Sequence, residues 1–457
     1  MAEQDLRKDL KSIDLEHLWH PFTQARTWIA ENDPLIVERA EGCELIDIAG
    51  RRYLDGVSSL WCNVHGHGAP ELIAALKDQA ETLCHSTLLG LSHRPVLELT
   101  DRLVKIIPAG LNRLFYADSG STAVEAGIRM CVEFWQKQDG SAAKKKQRLL
   151  SLETAYHGDT LGAVGVGYVE AFHSSLRANV VPAIRIPPPH IFRFFQGESD
   201  EAAESLSLDS LKSTLSSSAK EIAALIIEPL VQGAAGIWTY SPAYLSAVAE
   251  LCARHDVLLI IDEVATGFGK TGTMFACEQA DVSPDVLIMG KGLSGGYLPI
   301  SAAAASEEIF QGFVGEPEEL KTFFYGQTFA GNPLAARVAA ANLDLFEQSS
   351  LLEELGPRID FFQRLIAERI SGLPHVDEVR CQGVMTGIEL TSVPGSRVPY
   401  PMQALAGARI TRKARELGAV IRPLGNVMVL MPPLAMKEPE LERLVDITAE
   451  SIRTTLG

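Results

Sequence analysis

The sequence predicts an α/β fold, a large doubly wound domain on a mostly parallel sheet with a smaller, discontinuous α/β domain beside it. Two apolar runs, 257–261 and 286–289, finish on Asp262-Glu263 and on Gly290-Lys291-Gly292. Short apolar runs that end on charge are the pattern of buried parallel strands delivering side chains to one sheet edge. From about residue 70 to 335, strand-like and helix-like segments alternate as βαβ units do. The 457 residues are 46% apolar, enough for two domains with substantial cores. The expected division is 1–69 as an N-terminal segment packing with the small domain, 70–335 as the large domain and 336–457 as the C-terminal small domain.

Taken in order, residues 6–18 have the spacing of a short amphipathic helix. Pro21 then forces His20 out of helix, so LWHPFTQ (18–24) reads as an irregular strap over a site. Strands at 44–48 and 52–55 around a Gly50-Arg51 turn form a hairpin pattern. Helices follow from Pro70 to about 82 and from Pro95 to about 107. A strand at 113–117 leads through Asp118-Ser119-Gly120-Ser121-Thr122 into a helix that runs to Trp135. Thr122 and Glu125 have capping-box spacing, which starts that helix just after the glycine. Such a turn presents backbone N–H groups at a positive helix end and makes an anion site. Residues 151–154 read as a strand ending at Tyr156-His157-Gly158-Asp159. Pro187-Pro188-Pro189 and STLSSS (213–218) read as surface loops. A buried strand at 223–227 ends at Glu228, and a helix spans 242–255. Beyond Lys291 lie TFFYGQTFAGNP (322–333) and helices at 334–346 and 351–370. Strands near 379–380 and 386–390, a helix at 402–417, strands at 419–422 and 427–431, and a helix from 438 to about 454 complete the chain.

A net charge of −17 argues against nucleic acid or an anionic membrane surface as partner. Lys144-Lys145-Lys146 stands in a polar stretch and reads as a solvated loop. Seven scattered cysteines without C-x-x-C fit reduced thiols and a cytoplasmic location. His65 and His67 alternate on an extended loop without a third ligand, so no metal is expected. Residues 1–20 are charged throughout, unlike a signal peptide, and no apolar run reaches membrane-spanning length.

If the strands at 257–261 and 286–289 are neighbours, Asp262 and Lys291 face one crevice. A lysine amine and a buried carboxylate either side of a flat ring are what pyridoxal phosphate (PLP) chemistry requires. The lysine forms a Schiff base, and the carboxylate keeps the pyridine nitrogen protonated. Taken alone, either residue reads more readily as a solvated lysine or a capping aspartate. Together, DEVATGFGKTG and the following DVLIMGK resemble the class III aminotransferases, a branch of the fold-type I PLP-dependent transferases. Their pattern is D-E-[VI]-x-x-G-F-G-[RK]-T-G and then D-[VI]-L-x-x-G-K, and the resemblance spans nearly the whole chain.

The resemblance implies that Lys291 is the Schiff-base lysine, that Asp262 pairs with the ring nitrogen and that Tyr156 stacks on the ring. It assigns Gly120 and Ser121 to the cofactor phosphate. Gly326, Gln327 and Thr328 resemble the segment that reaches the cofactor phosphate of the neighbouring subunit, which implies a homodimer with active sites at the subunit interface. Arg422 resembles the arginine that receives a substrate carboxylate, a task suited to a bidentate guanidinium. Phe22, Trp61 and Gly326 resemble substrate contacts, with Asp159 nearby. LWHPFTQ, DGVSSLWCNVHGH, YHGDTLGAVGVG, EPLVQGAAG and IRPLGNVMVLMPPL look like the members that convert 8-amino-7-oxononanoate to 7,8-diaminononanoate in biotin synthesis. Their usual amino donor is S-adenosylmethionine, and some members use lysine.

Three positions depart from that pattern: Phe22 stands where many relatives have tyrosine, Leu60 where a second tryptophan often precedes Trp61, and Lys270 where arginine is commoner. The other readings are an ω-amino acid aminotransferase with a 2-oxo acid acceptor, glutamate-1-semialdehyde aminomutase, and a non-catalytic relative. The first resembles LWHPFT and SSLW less well, and the last is expected to lack the lysine.

Overall fold

A computed structural model describes residues 2–457, with side chains from residue 10 onward. At its centre is a seven-stranded sheet in the spatial order Leu111–Ala117, Ser301–Ser306, Val286–Met289, Leu258–Asp262, Ile222–Ile227, Arg148–Leu152 and Ile184–Ile186. Every pairing is parallel except the two made by Ser301–Ser306. The alternation of side chains along each strand divides the core in two. Ile226, Ile260, Val286 and Ile288 pack with helix Gly120–Lys137, whereas Leu225, Ile261, Leu287 and Met289 pack with helices Asp200–Ser218 and Pro242–Arg254. Burial on both faces is why these strands read as unbroken apolar runs.

A second, antiparallel sheet has the order Val376–Gln382, Met385–Leu390, Val427–Leu430 and Arg422–Leu424. The N-terminal strands Val37–Glu41, Glu44–Asp47 and Arg52–Asp55 form a third sheet, completed by Ala419–Val420 from near the C-terminus. Ala419 pairs in parallel with Leu54, so the two ends of the chain share a sheet. They share a core too: Cys43 and Leu54 cluster with Phe362, Ile410, Leu444 and Ile452.

Several elements differ from expectation. STLSSS is not a loop but the last turns of helix Asp200–Ser218. Leu211 and Leu215 are buried one helical turn apart, and that burial outweighs the weak helix preference of serine. Pro188 and Pro189 are buried rather than on a surface loop, and the next residue, His190, stacks on Trp238 at 4.2 Å. Lys146 leaves the solvated KKK run: its amine lies 4.4 Å from the Trp135 ring centroid and reaches the Asp256 carbonyl. The expected strand at 419–422 breaks at Ile421, sending Arg422 into a different sheet from Ala419. Helix Pro333–Gln348 runs across the expected 335/336 boundary and packs against helices Pro70–Thr82 and Arg94–Ile106. No helix among the described residues is long and apolar enough to cross a membrane.

Candidate active site

The parallel strands end at one edge, and a cavity of about 230 Å³ opens there. Asp262, Lys291, Tyr156, Gly120 and Ser121 line it, and so do Phe22, Trp61 and Arg422. Register explains the first two. Asp262 pairs with Ile288 on the neighbouring strand, and Lys291 follows two residues after that strand ends at Met289.

Lys291 adopts φ +42°, a left-handed conformation that a lysine takes only when its surroundings hold it there. The buried amide of Asn342 does so, donating to the carbonyls of Gly292 at 3.0 Å and Leu293 at 3.1 Å. Burial holds the Lys291 amine below its ordinary pKa, against the opposing charges of Asp262 and Glu228. The amine lies 4.8 Å from the Trp61 ring centroid.

Trp61 is itself at φ +64°, on a loop where Ser58 and Ser59 also have positive φ. Three contacts fix this strained loop: Ser58 Oγ donates to Met431 O at 2.6 Å, Ser59 N–H to Asp55 Oδ2 at 2.7 Å, and Lys270 Nζ to Ser58 Oγ at 3.1 Å. Lys270 is fully buried behind the loop, and burial brings its pKa down to about 8.

Asp262 accepts from Val264 N–H at 3.0 Å and lies 2.7 Å from His157 Nδ1. His157 Nε2 is buried without a hydrogen-bond partner among the described residues. Tyr156 donates its hydroxyl to Asp159 at 2.7 Å. The Tyr156 N–H donates to Glu228 Oε1 at 3.2 Å, and Glu228 Oε2 accepts from Gly233 N–H at 2.8 Å. Burial, with the nearby Asp262 charge, pushes Glu228 up to about 7.

Gly120 and Ser121 open the 18-residue helix Gly120–Lys137. The helix is capped by a reciprocal pair of Ser119 and Thr122, not by Thr122 and Glu125. Glu125 instead accepts from Gly162 N–H at 2.9 Å. Gly158 packs on this turn at φ +117°, and a Cβ there would collide with Ser121 Oγ.

Arg422 has no carboxylate within 4.0 Å among the described residues, and burial lowers its pKa. Gly326, Gln327 and Thr328 are not brought to this cavity. Their segment is anchored at the start of the same helix by Tyr325 Oη, which donates to Thr122 O at 3.0 Å. Nor do the two loop histidines converge: His67 pairs with Asp55 at 3.0 Å, and His65 packs edge-on against Phe346 at 4.9 Å.

Reasoning from sequence missed His157, Glu228, Phe172 and Asn342. Glu228 carried the same signal as Asp262, an acid at the end of a buried strand, and His157 lay inside a motif already singled out. Nothing in the sequence marks Asn342, which acts from a distant helix. The residues present fit PLP: a buried amine with lowered basicity, a hydrogen-bonded carboxylate, aromatic faces at Tyr156 and Trp61, and a helix N-terminus crowded by Gly158.

The family described as Aminotransferase class-III matches residues 28–452. An adenosylmethionine-8-amino-7-oxononanoate aminotransferase of Nitratidesulfovibrio vulgaris is 46% identical over 95% of this chain and 80% of its own length. One from Geobacter sulfurreducens is 44% identical over 98% of both chains. The crystal structure of the enzyme of that name from Methanocaldococcus jannaschii superposes with a TM-score of 0.92 at 38% identity, covering 98% of this chain and 99% of that one. An (S)-enantioselective omega-transaminase from Thermomicrobium roseum reaches a TM-score of 0.93 at 30% identity over the same shares. With the family match over most of its length and the fold in common, the chain belongs to the class III aminotransferases, PLP-dependent transaminases of fold type I.

Proposed function

We propose that this protein transfers an amino group to 8-amino-7-oxononanoate, forming 7,8-diaminononanoate for biotin synthesis. S-adenosylmethionine is the amino donor, with lysine as the substitute. One observation carries the reading: a half-buried Arg422 without a counter-ion among the described residues shares an otherwise largely apolar cavity with Lys291. Such a cavity suits an acceptor with a carboxylate on an apolar chain. The names of relatives at 44–46% identity support it.

When bound, PLP supplies the electron sink that lets the carbon bearing the amine lose its proton. Lys291 Nζ carries that proton away and returns it, and its lowered basicity leaves more of it free to act as a base. Asp262 holds a proton at the ring nitrogen, and the His157 ring fixes the carboxylate's orientation. Tyr156 would hold the cofactor ring by its aromatic face, and Gly120 and Ser121 would hold the phosphate. Phe22, Trp61 and Arg422 receive the substrate.

The working unit in this reading is a cytoplasmic homodimer, with no nucleic acid or membrane partner. Gly326, Gln327 and Thr328 serve the partner's site, which accounts for their position outside this chain's cavity and for the exposure of Gly326 and Thr328. The segments 1–69 and 336–457 form the small domain around the large one at 70–335, with the helix across the 335/336 boundary joining them.

The test is a pair of half-reactions on the PLP-loaded protein. S-adenosylmethionine or lysine alone should bleach the visible cofactor band, and 8-amino-7-oxononanoate should restore it. A band restored by 2-oxo acids and not by the oxononanoate would overturn the proposal in favour of an ω-amino acid aminotransferase.

A further inference from the structure

Behind Tyr156 lies a buried imidazole that the chemistry above does not use. His173 is 3% exposed and ends the short helix Glu170–His173. Its Nδ1 accepts from Val169 N–H at 3.1 Å, which places the ring proton on Nε2. Nε2 in turn lies 3.1 Å from Asp159 Oδ1 and donates to it. The other oxygen of Asp159 accepts the Tyr156 hydroxyl at 2.7 Å. Tyr156 and His173 also lie nearly parallel, with an interplanar angle of 12° and centroids 6.2 Å apart.

The same cluster reaches both ends of the cavity. Asp159 N–H donates to Ser121 Oγ at 3.3 Å, on the anion turn. Phe172, next to His173, lines the cavity and meets Phe22 edge-on at 5.4 Å.

We propose that His173 is a positioning residue, fixing the Tyr156 ring and hydroxyl through Asp159. The carboxylate of Asp159 is half exposed, so without the imidazole donor it has water to turn toward. Tyr156 would then lose the one fixed partner of its hydroxyl and swing on its own side-chain torsions. The Val169 N–H sets the tautomer that makes the Asp159 contact a donated bond. The inference rests on the placement of Tyr156 against the cofactor.

The experiment compares His173→Leu, His173→Gln, Tyr156→Phe and the double variant Tyr156→Phe/His173→Leu in the full chain. The readouts are the PLP dissociation constant by equilibrium dialysis and kcat/KM for each half-reaction. His173→Leu should weaken PLP retention and lower kcat/KM by roughly 3- to 10-fold, the loss of one charge-assisted bond at a half-exposed acceptor. His173→Gln should recover most of both, because its amide can donate from about where Nε2 stands. In the Tyr156→Phe background the leucine change should add almost nothing, since the hydroxyl it acts through is gone.

Equal losses in the two backgrounds, a glutamine variant no better than leucine, or no loss at all would overturn the proposal. If His173→Leu fails to melt as a folded protein, His173→Asn takes its place: its amide is too short to reach Asp159, so it should behave worse than glutamine. Tyr156→Ala keeping normal PLP retention and turnover would remove the placement of Tyr156 itself, and this inference with it. Impaired Tyr156→Ala with additive losses elsewhere would overturn this inference alone.

Discussion

Arg422→Leu should make the protein worse at its task and harder to unfold. The guanidinium is half-buried and lacks a counter-ion among the described residues, and desolvation lowers its pKa. Replacing an unpaired, partly desolvated charge with a shorter apolar side chain should stabilise the fold by about 0.5–2 kcal/mol. The cost falls on the acceptor, whose carboxylate loses its paired charge. Truncating one partner of such a pair costs about 2–5 kcal/mol, or roughly 30-fold to a few thousandfold in affinity. The low end applies here, because the cavity is open to solvent at the exposed Phe22. Arg422→Lys should fall between, keeping the charge and losing the bidentate fork. Single-turnover return of the cofactor band across a range of oxononanoate concentrations measures the affinity, and thermal melting of the same preparations measures the stability. The donor half-reaction with S-adenosylmethionine should suffer less, since its bulk points its remote groups elsewhere. An unchanged acceptor affinity, or equal losses in both half-reactions, would refute the placement of the substrate carboxylate at Arg422.

Lys291→Arg should abolish turnover and leave PLP bound without a covalent link, because a guanidinium is too basic to shuttle the proton; steady-state transamination by the purified variant would contradict this. Glu263, fully buried and pushed up to about 7 from 4.5 mainly by desolvation, holds a proton in the folded chain that it releases on unfolding. Its contribution to stability is therefore full below 4.5 and lost as pH rises through about 7, and Glu263→Gln should flatten the melting temperature across that window. Leu60 lines the cavity and is 50% exposed, so Leu60→Trp adds an aromatic face for a sulfonium. It should raise the preference for S-adenosylmethionine over lysine in single-turnover bleaching of the cofactor band, cation–π contact being worth about 0.5–2 kcal/mol. An unchanged ratio would show that Leu60 has no part in donor choice.

Much of the site was legible because its chemistry sits where local pattern is strongest. Asp262 and Lys291 close two apolar runs, and neighbouring parallel strands bring such ends together without any further information. The strand–turn–helix at Gly120 and Ser121 was legible, although the reciprocal cap is Ser119 with Thr122. Arg422 was found only by resemblance. The apolar pattern at 419–422 reads as one strand, and only the separate partners of Ala419 and Arg422, Leu54 and Val429, break it at Ile421. Tertiary contacts also overrode the local signal at Lys146, where the Trp135 ring and the Asp256 carbonyl take a lysine out of a polar run.

What no local pattern carries is the strain. Ser58, Ser59, Trp61 and Lys291 all have positive φ, and none is glycine. Each such residue costs on the order of 1–3 kcal/mol and persists only where surrounding structure over-determines it. The two strained segments are held from outside and against each other. Asn342 fixes the turn after Lys291, and Lys270 donates to Ser58 Oγ at 3.1 Å and Asn63 O at 3.2 Å. Gly296, five residues beyond Lys291, approaches so closely that a Cβ there would sit 3.0 Å from the Asn63 backbone. The amine therefore meets the Trp61 face because the fold imposes both conformations. That is preorganisation in the physical sense: strain is held by distant packing, and the Lys291 amine is kept buried and oriented. It also explains why Lys270, a charge buried at the cost of its own basicity, is tolerated behind the loop. Two of its three donors hold Ser58 and the Asn63 carbonyl, and hydrophobic packing cannot replace a directed bond to a carbonyl.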